Sequence, residues 1–425
     1  MNAEILSVGT DLLLGQVINS NAPFLARELT SLGMDVLNQS TLGNDAERLV
    51  EAVKQAEDRA DLIVISGGLG PNKEDITKQA LSDYLGVDLI LHEETEDKII
   101  TYHKNSNFKM PENNQLQALI LADSVPLTND TGLGVGMLLE HNNHTYVLLP
   151  GPADELEPMV NNYLKEELVK RLFEKDVLRS RVLNFFGLTE DHIKSQLDSI
   201  LRDQSDINVI VYSKKSEVAV RLTAKADKEE EAGKAIDEVE KRIKEEFSEY
   251  FFGYDEKSLS DIIKDLLIEK DLMITAAESL SGGAFLSALT SDLSAGSILE
   301  GGLVTYSEEM KNKVLKVTKK TIETYGVVSP ECAIEMADKS RKLFDADIGV
   351  GLTGVAGPSS MEGQIPGTVW VGISYQNKKS FAKHYHFGYK RNKNRELTVL
   401  NALDLVRRVV LDLPVDKSVN YGEDK

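Results

Sequence analysis

The stretch Ile274-Thr275-Ala276-Ala277-Glu278-Ser279-Leu280-Ser281-Gly282-Gly283 joins a serine and a glycine pair at a change of hydrophobic period. Residues 272–274 read as a short buried strand, and residues 284–289 open a helix-period pattern. A serine at a strand-to-helix turn can present its hydroxyl beside the free N–H groups of a helix start, where negative charge is favoured. Gly282 and Gly283 leave no side chain to obstruct a ligand at that backbone. The same residues also suit a plain N-cap supplied by Ser279 or Ser281. Acyl-transfer chemistry would need a base, because a serine hydroxyl is a weak nucleophile until its proton is removed. The histidines of this region, His384 and His386, stand two apart on one expected strand, where alternation accounts for them as surface or partner-strand residues. Ser279 opens no Ser-x-x-Lys arrangement, since Leu280, Ser281 and Gly282 follow it. The unit Thr305-Tyr306-Ser307-Glu308-Glu309-Met310-Lys311 offers a lysine at a strand-to-helix junction, with a tyrosine five residues earlier. Spacing alone reads Lys311 as a solvated helix lysine, and desolvation would be needed to lower its pKa.

A second constellation is Gly67-Gly68-Leu69-Gly70-Pro71-Asn72-Lys73-Glu74-Asp75-Ile76-Thr77. Three glycines let backbone N–H groups face a phosphate ahead of a helix N-terminus. Glu74 and Asp75 would repel that phosphate unless a divalent cation bridges them, and Mg²⁺ takes such a carboxylate-plus-phosphate shell. The alternative is that both acids complement the dipole of a helix over 74–85.

The elements that must position these groups alternate. Residues 3–8 are a strand candidate, followed by Gly9-Thr10-Asp11-Leu12-Leu13-Leu14-Gly15. Helical spacing covers 21–32 and 48–56, with strands at 36–37 and 61–66. Such alternation means βαβ units and a mostly parallel sheet, whose ligands sit outside the carboxyl ends of the strands. A helix over about 155–175 leads out of this domain. From 177 to 252 the pattern becomes strand (182–186), helix (192–201), paired strands (207–212 and 217–224) and amphipathic helix (228–249). It reads as a small α+β spacer with no chemical constellation. The third domain carries helices at 258–269, 307–317, 330–343 and 395–411, and strands at 302–306, 347–352, 368–375 and 381–386. Residues 353–360 form a further glycine-containing loop. The expected domains are 1–170, 176–252 and 255–412, with a polar tail at 413–425.

A chain of 425 residues suits two to three domains. Its 69 acidic against 48 basic residues give a net charge of −21, which argues against a nucleic-acid-binding surface. The single cysteine, Cys332, excludes an intramolecular disulfide and suits the cytosol. With no secretory leader pattern and no run of 18 apolar residues, the expectation is a cytoplasmic protein without a membrane partner.

Residues 9–21 with 67–77 resemble the molybdopterin-binding-like domain of molybdenum-cofactor biosynthesis proteins. The spelling Gly-Gly-Leu-Gly-Pro-x-x-x-Asp-x-Thr, and the turn Leu149-Pro150-Gly151-Pro152-Ala153-Asp154-Glu155-Leu156, are closer to the competence/damage-inducible (CinA) family. The resemblance implies a metal-dependent ADP-ribose pyrophosphatase domain. Gly9, Thr10, Asp11, Asn21, Gly67, Gly68, Gly70 and Pro71 would hold nucleotide, and Glu74 and Asp75 the Mg²⁺. The family's Thr after Gly-Pro is here Asn72 and its first acid Glu74, and its Asn-x-x-Gly-Thr-Ala-Pro-Gly loop reads 129–136 as Asn-Asp-Thr-Gly-Leu-Gly-Val-Gly. Residues 275–283, 302–311, 326–329 and 353–358 together look like the C-terminal CinA domain, which implies an α/β nicotinamide-nucleotide amidase converting NMN to nicotinate mononucleotide and ammonia without a cofactor. By that resemblance Ser279 is the nucleophile, with Lys311 and Tyr306 as base and proton relay. Ser281, Gly282, Gly283, Thr353, Gly354 and Gly357 would line the substrate site. Arg391 and Arg395 are candidates for its 5′-phosphate. The family's Cys-Thr after the serine is Leu280-Ser281, and its glycine pair and Lys-Pro before Gly-Thr-Val are missing from 359–369. Family members suggest a homodimer. Two other readings stay open from sequence: a first domain that binds a pterin or nucleotide without turning it over, or a competence- and DNA-damage-linked interaction protein with degenerate sites.

Overall fold

A computed structural model describes residues 1–106, 110–172, 177–200, 207–214, 216–255, 257–291 and 293–415. Backbone contacts divide the chain into two compact units, Met1–Ser180 with Thr223–Ile236, and Arg181–Leu222 with Asp237–Lys425. Among the described residues no helix is long and apolar enough to cross a membrane.

The N-terminal elements are β1 (Asn2–Val8), α1 (Thr10–Leu13), α2 (Asn21–Ser31), β2 (Asp35–Leu42), α3 (Ala46–Glu57), β3 (Leu62–Ser66), α4 (Thr77–Leu85), β4 (Leu89–Leu91), α5 (Glu93–Ser106), β5 (Leu119–Leu121), β6 (Val125–Leu127), β7 (Gly136–His141), β8 (His144–Leu149), α6 (Ala153–Met159) and α7 (Lys165–Leu172). The six-stranded sheet runs β2-β1-β3-β8-β7-β6. The first four strands pair in parallel and the last two are antiparallel. Alternate residues of one strand enter opposite cores: Leu62 and Val64 of β3 on one side, Ile63 and Ile65 on the other. Burial on both faces is why these strands are continuous apolar runs.

Two expectations are corrected here. The helix expected over 74–85 begins at Thr77, because residues 70–76 form a turn. Asn72 donates its N–H to Asp75 Oδ2 (2.8 Å), and Thr77 Oγ1 donates to the Gly67 carbonyl (2.8 Å). The helix expected over 155–175 starts at Ala153 and is interrupted by a π segment, Val160–Leu164; residues 173–175 lie outside the described residues. Pro158 lacks the N–H that would bond the Asp154 carbonyl. Thr131 Oγ1 donates to that carbonyl instead (2.8 Å).

The middle segment contains β9 (Val177–Phe185), α8 (Glu190–Ile200), β10 (Ile207–Lys214), β11 (Glu217–Ala226), α9 (Glu229–Phe247) and β12 (Phe251–Tyr254), with strand order β10-β11-β9-β12. The strand β12 was not expected, since Phe-Phe-Gly-Tyr is too short to show a period. It pairs antiparallel with β9.

The C-terminal elements are α10 (Leu259–Glu269), β13 (Ile274–Glu278), α11 (Ala284–Leu289), β14 (Leu303–Val304), α12 (Glu308–Lys313), α13 (Lys319–Tyr325), α14 (Pro330–Leu343), β15 (Ile348–Gly354), β16 (Thr368–Tyr375), β17 (Phe381–His386) and α15 (Arg391–Val410). The sheet order is β14-β13-β15-β16-β17, parallel across β14, β13 and β15 and antiparallel beyond. The strand expected over 302–306 shrinks to two residues, and the helix expected over 307–317 ends at Lys313, with a second helix, α13, beginning beyond it at Lys319. Thr318 N-caps the second, its side chain accepting the N–H of Thr321. The closing helix begins one turn earlier than expected, at Arg391. The tail beyond residue 415 lies outside the described residues.

Candidate active site

Ser279 follows the last residue of β13, which lies between β14 and β15 in the sheet. Its N–H donates to the Leu352 carbonyl (3.0 Å), and its own carbonyl accepts from Gly282 N–H (3.1 Å), closing a four-residue turn. The turn is held from two sides. Glu278, fully buried, accepts the N–H groups of Gly283 (2.9 Å), Phe285 (3.2 Å) and Leu286 (2.9 Å), so it caps α11 from the strand itself. Arg395 donates from Nε to the Leu280 carbonyl (3.0 Å) and from Nη2 to the Ser281 carbonyl (2.9 Å). Gly282 and Gly283 have φ of 65° and 93°, so both glycines are required by the turn itself. Among the described residues, no group accepts a hydrogen bond from the N–H of Leu280 or Ser281.

Lys311 is 1 % exposed, where spacing had suggested a solvated lysine. Ser307 caps α12 through the N–H of Met310, and the short helix turns Lys311 inward. Its Nζ donates to Ser279 Oγ (2.9 Å) and to the Thr305 carbonyl (2.9 Å). Burial pushes its pKa below the ordinary lysine value, although Cys332, Glu362 and Glu308 oppose the shift. Cys332 is itself buried, which pushes its thiol up to about 12 and keeps it protonated. Tyr306 contributes its backbone carbonyl, 3.4 Å from Ser279 Oγ. Its phenol is exposed and accepts from Arg391 Nη2 (3.0 Å), so the structure does not bring the phenol to the Ser279–Lys311 pair.

These groups open onto a cavity of about 570 Å³. Of the residues expected at the substrate site, Thr353, Gly354, Gly357 and Arg391 line it, whereas Ser281, Gly282, Gly283 and Arg395 do not. Thr353 Oγ1 donates to the Val327 carbonyl (2.5 Å), and Arg391 Nη1 to that of Gly357 (2.7 Å). Arg395 spends its guanidinium on the serine turn and is corrected from a phosphate ligand to a clamp. Sequence reasoning missed Glu362, whose two carboxylate oxygens accept the N–H groups of Val327 (3.1 Å) and Val328 (3.0 Å) and fix that wall of the cavity. It also missed Glu278, the acid immediately before the serine. His384 and His386 are exposed and line no part of the cavity.

In the N-terminal unit, Gly9, Thr10 and Asp11 follow β1, Asn21 opens α2, and Gly67, Gly68, Gly70 and Pro71 follow β3. Asn44, which sequence reasoning missed, ties these loops: its Oδ1 accepts from Thr10 N–H (2.8 Å) and its Nδ2 donates to the Glu74 carbonyl (2.8 Å). Asn21 Nδ2 donates to the Gly151 carbonyl (2.6 Å). At Gly67, φ is 94° and a Cβ would lie 2.2 Å from the Val8 carbonyl oxygen, so this glycine is demanded by strand-to-loop packing. A cavity of about 760 Å³ in this unit is walled by α5 and the 130–133 loop, not by the Gly67–Pro71 loop. Among the described residues no three His, Cys, Asp or Glu side chains form a metal-holding group. A Mg²⁺ at Glu74 and Asp75 would rest on those two carboxylates and on ligand phosphate oxygens, which that ion accepts.

Three family models cover most of the chain. Residues 4–170 match "Probable molybdopterin binding domain", 180–253 the damage-inducible protein CinA KH domain, and 256–410 the CinA C-terminal domain. A relative in Listeria welshimeri, named as a competence-damage inducible protein, is 42% identical over 406 residues, covering 96% of this chain and 98% of its own. One of the same name in Lysinibacillus sphaericus is 42% identical over 395 residues, covering 93% and 94%. The crystal structure of a CinA superfamily protein from Klebsiella pneumoniae is 28% identical, with a TM-score of 0.35, covering 36% of this chain and 96% of that one. Because relatives this similar align over nearly their whole length, the chain belongs to the competence-damage inducible (CinA) family.

Proposed function

We propose that the C-terminal domain hydrolyses the carboxamide of nicotinamide mononucleotide, releasing nicotinate mononucleotide and ammonia. The observation that carries this reading is the 2.9 Å contact between Lys311 Nζ and Ser279 Oγ, with the lysine desolvated and the serine opening onto a ligand-sized cavity. Neutral Lys311 gives one N–H to the Thr305 carbonyl, which leaves its lone pair free to take the Ser279 proton. Oγ bonds to the carboxamide carbon, and the N–H of Leu280, which lines the cavity, stabilises the oxyanion. Lys311 then returns the proton to the leaving nitrogen, the C–N bond breaks and ammonia departs. Water attacks the acyl-enzyme with the same lysine taking its proton, and Oγ leaves as the serine hydroxyl. Arg391, in the cavity wall, is placed for the substrate phosphate. A relay through Tyr306 requires its phenol to leave Arg391 when the phosphate takes that guanidinium.

For the N-terminal domain we propose a nucleotide pyrophosphate ligand such as ADP-ribose, with Mg²⁺ held by Glu74 and Asp75 and neutralising charge on the phosphates. Purified protein given NMN should release ammonia, and given ADP-ribose with Mg²⁺ should bind it and form AMP. Asp75→Asn should abolish the Mg²⁺ dependence of ADP-ribose binding in calorimetry and spare ammonia release. Metal-independent binding by the unaltered protein would return both acids to a loop-forming role.

A further inference from the structure

In a trans peptide the carbonyl of one residue and the N–H of the next point in opposite directions. Pinning the carbonyl therefore aims the N–H. Arg395 pins the Leu280 carbonyl through Nε (3.0 Å), which sets the direction of the Ser281 N–H. It pins the Ser281 carbonyl through Nη2 (2.9 Å), and the Gly282 N–H on that peptide is turned back to the Ser279 carbonyl (3.1 Å). On the other side, Glu278 takes the N–H groups of Gly283, Phe285 and Leu286. Of the N–H groups from Ser279 to Gly283, three are thereby bonded and that of Ser281 is fully buried away from the cavity, so that of Leu280, whose residue lines the cavity, remains to be used by a ligand.

A guanidinium is suited to this task. Its rigid fork offers Nε–H and Nη–H in one plane and so fixes two successive carbonyls at a known spacing, which an ammonium on a flexible stem cannot do. The fork is also closely seated: a Cβ built on Gly282 would lie 3.3 Å from Arg395 Nη2. Arg395 sits in the second turn of α15 and does not line the cavity, whereas Arg391, one turn earlier, does. The two arginines of this helix start thus have different work.

We infer that Arg395 is a positioning residue that sets the oxyanion donor of Leu280: it holds the Ser281 carbonyl so that the Gly282 N–H pins the Ser279 carbonyl of the Leu280 peptide, and Glu278 completes the selection by occupying the neighbouring N–H groups. This rests on the reading of Ser279 as an acyl-transfer nucleophile. Disordering one oxyanion donor costs roughly 10²–10³ in rate. Arg395→Lys should therefore lower kcat for NMN deamidation by about 10²-fold, with KM within about twofold and the pH profile unmoved. Nicotinamide riboside, which lacks the phosphate, should lose rate by the same factor as NMN. Arg391→Lys should instead raise KM for NMN alone.

A probe independent of the substrate separates this inference from the proposed function. A fluorophosphonate phosphonylates an activated serine, the new O–P bond replacing P–F and expelling fluoride, while charge develops on its P=O oxygen in the same donor site. Ser279 of the unaltered protein should be labelled, Arg395→Lys at about 10²-fold lower rate, and Ser279→Ala not at all. Arg395→Gln is the second variant if the lysine form does not fold. Labelling at an unchanged rate in a folded Arg395 variant, a loss confined to NMN and absent for the riboside, or no labelling of the unaltered protein would each overturn the inference. Labelling that behaves as stated, with no ammonia from NMN, would retain the role of Arg395 and reject NMN as the substrate.

Discussion

Ser279→Ala and Lys311→Met each lower kcat for ammonia release from NMN by several orders of magnitude, and the double variant falls little further. The reason is geometric. The proposed nucleophile and base share one hydrogen bond, and groups acting as a unit give grossly non-additive losses, so either deletion removes nearly the whole advantage. His384→Gln and His386→Gln retain most activity, because both side chains are exposed and outside the cavity wall. The pH dependence follows from the buried lysine. Activity rises with pH through the lowered pKa of Lys311, since only the neutral amine can take the serine proton. Stability has a matching sign. The unfolded chain holds the Lys311 proton more tightly than the folded protein, so the penalty at this position is largest at low pH and fades as pH rises toward the ordinary lysine value. Lys311→Met should therefore raise Tm, and more so at pH 6 than at pH 9. Steady-state kinetics and thermal unfolding of the variants check these points. A dead histidine variant beside an active Lys311→Met would reject the lysine base.

Asp404→Ala should destabilise the C-terminal unit by about 3–5 kcal/mol, the cost of leaving buried charge uncompensated. Asp404 is 3 % exposed on α15, and Arg407 and Arg408, each 2 % exposed, bond its two oxygens from the next turn. Arg407 approaches Oδ1 through Nη2 (2.7 Å), and Arg408 approaches Oδ2 through Nε (2.6 Å). The same guanidiniums reach the carbonyls of Glu249 (2.8 Å from Arg407 Nη2) and Phe251 (2.9 Å from Arg407 Nη1), which anchors α15 to the chain leaving α9. Phe252 enters the core formed by Leu259, Ile263, Leu403 and Val406 at the same junction. Because α15 carries Arg391 and Arg395 at its other end, the anchoring also steadies the turn at Ser279. Urea unfolding of Asp404→Ala and Asp404→Asn measures the effect. A loss under 1 kcal/mol would show that the arginines find other partners.

Much of this organisation was legible in the sequence because periodicity and capping act locally. The strands 368–375 and 381–386 and the helix 330–343 coincide with β16, β17 and α14. Ser329 N-caps α14, its side chain accepting the N–H of Cys332, and Pro330 opens the helix. What stayed hidden depends on partners distant in sequence. Burial of Lys311 follows from the approach of β13 and α14, and nothing in its own heptapeptide signals it. The clamp by Arg395 spans more than a hundred residues, so a pair of arginines at a helix start looks alike until the fold separates them. Glu278 reads as one more acid in a polar turn, although the fold commits its carboxylate to three N–H groups of α11. The start of α4 was placed too early because Glu74 and Asp75 suit a first helical turn as well as the loop they actually form.

The central claim is that Ser279 attacks the nicotinamide carboxamide, and acid-quenched mass spectrometry of protein mixed with NMN tests it most directly. The expected result is an ester on the Ser279 peptide, heavier by the mass of NMN less ammonia, that forms with the first turnover and is absent from Ser279→Ala. Ammonia accumulating at full rate from protein whose Ser279 can be replaced by alanine would contradict it.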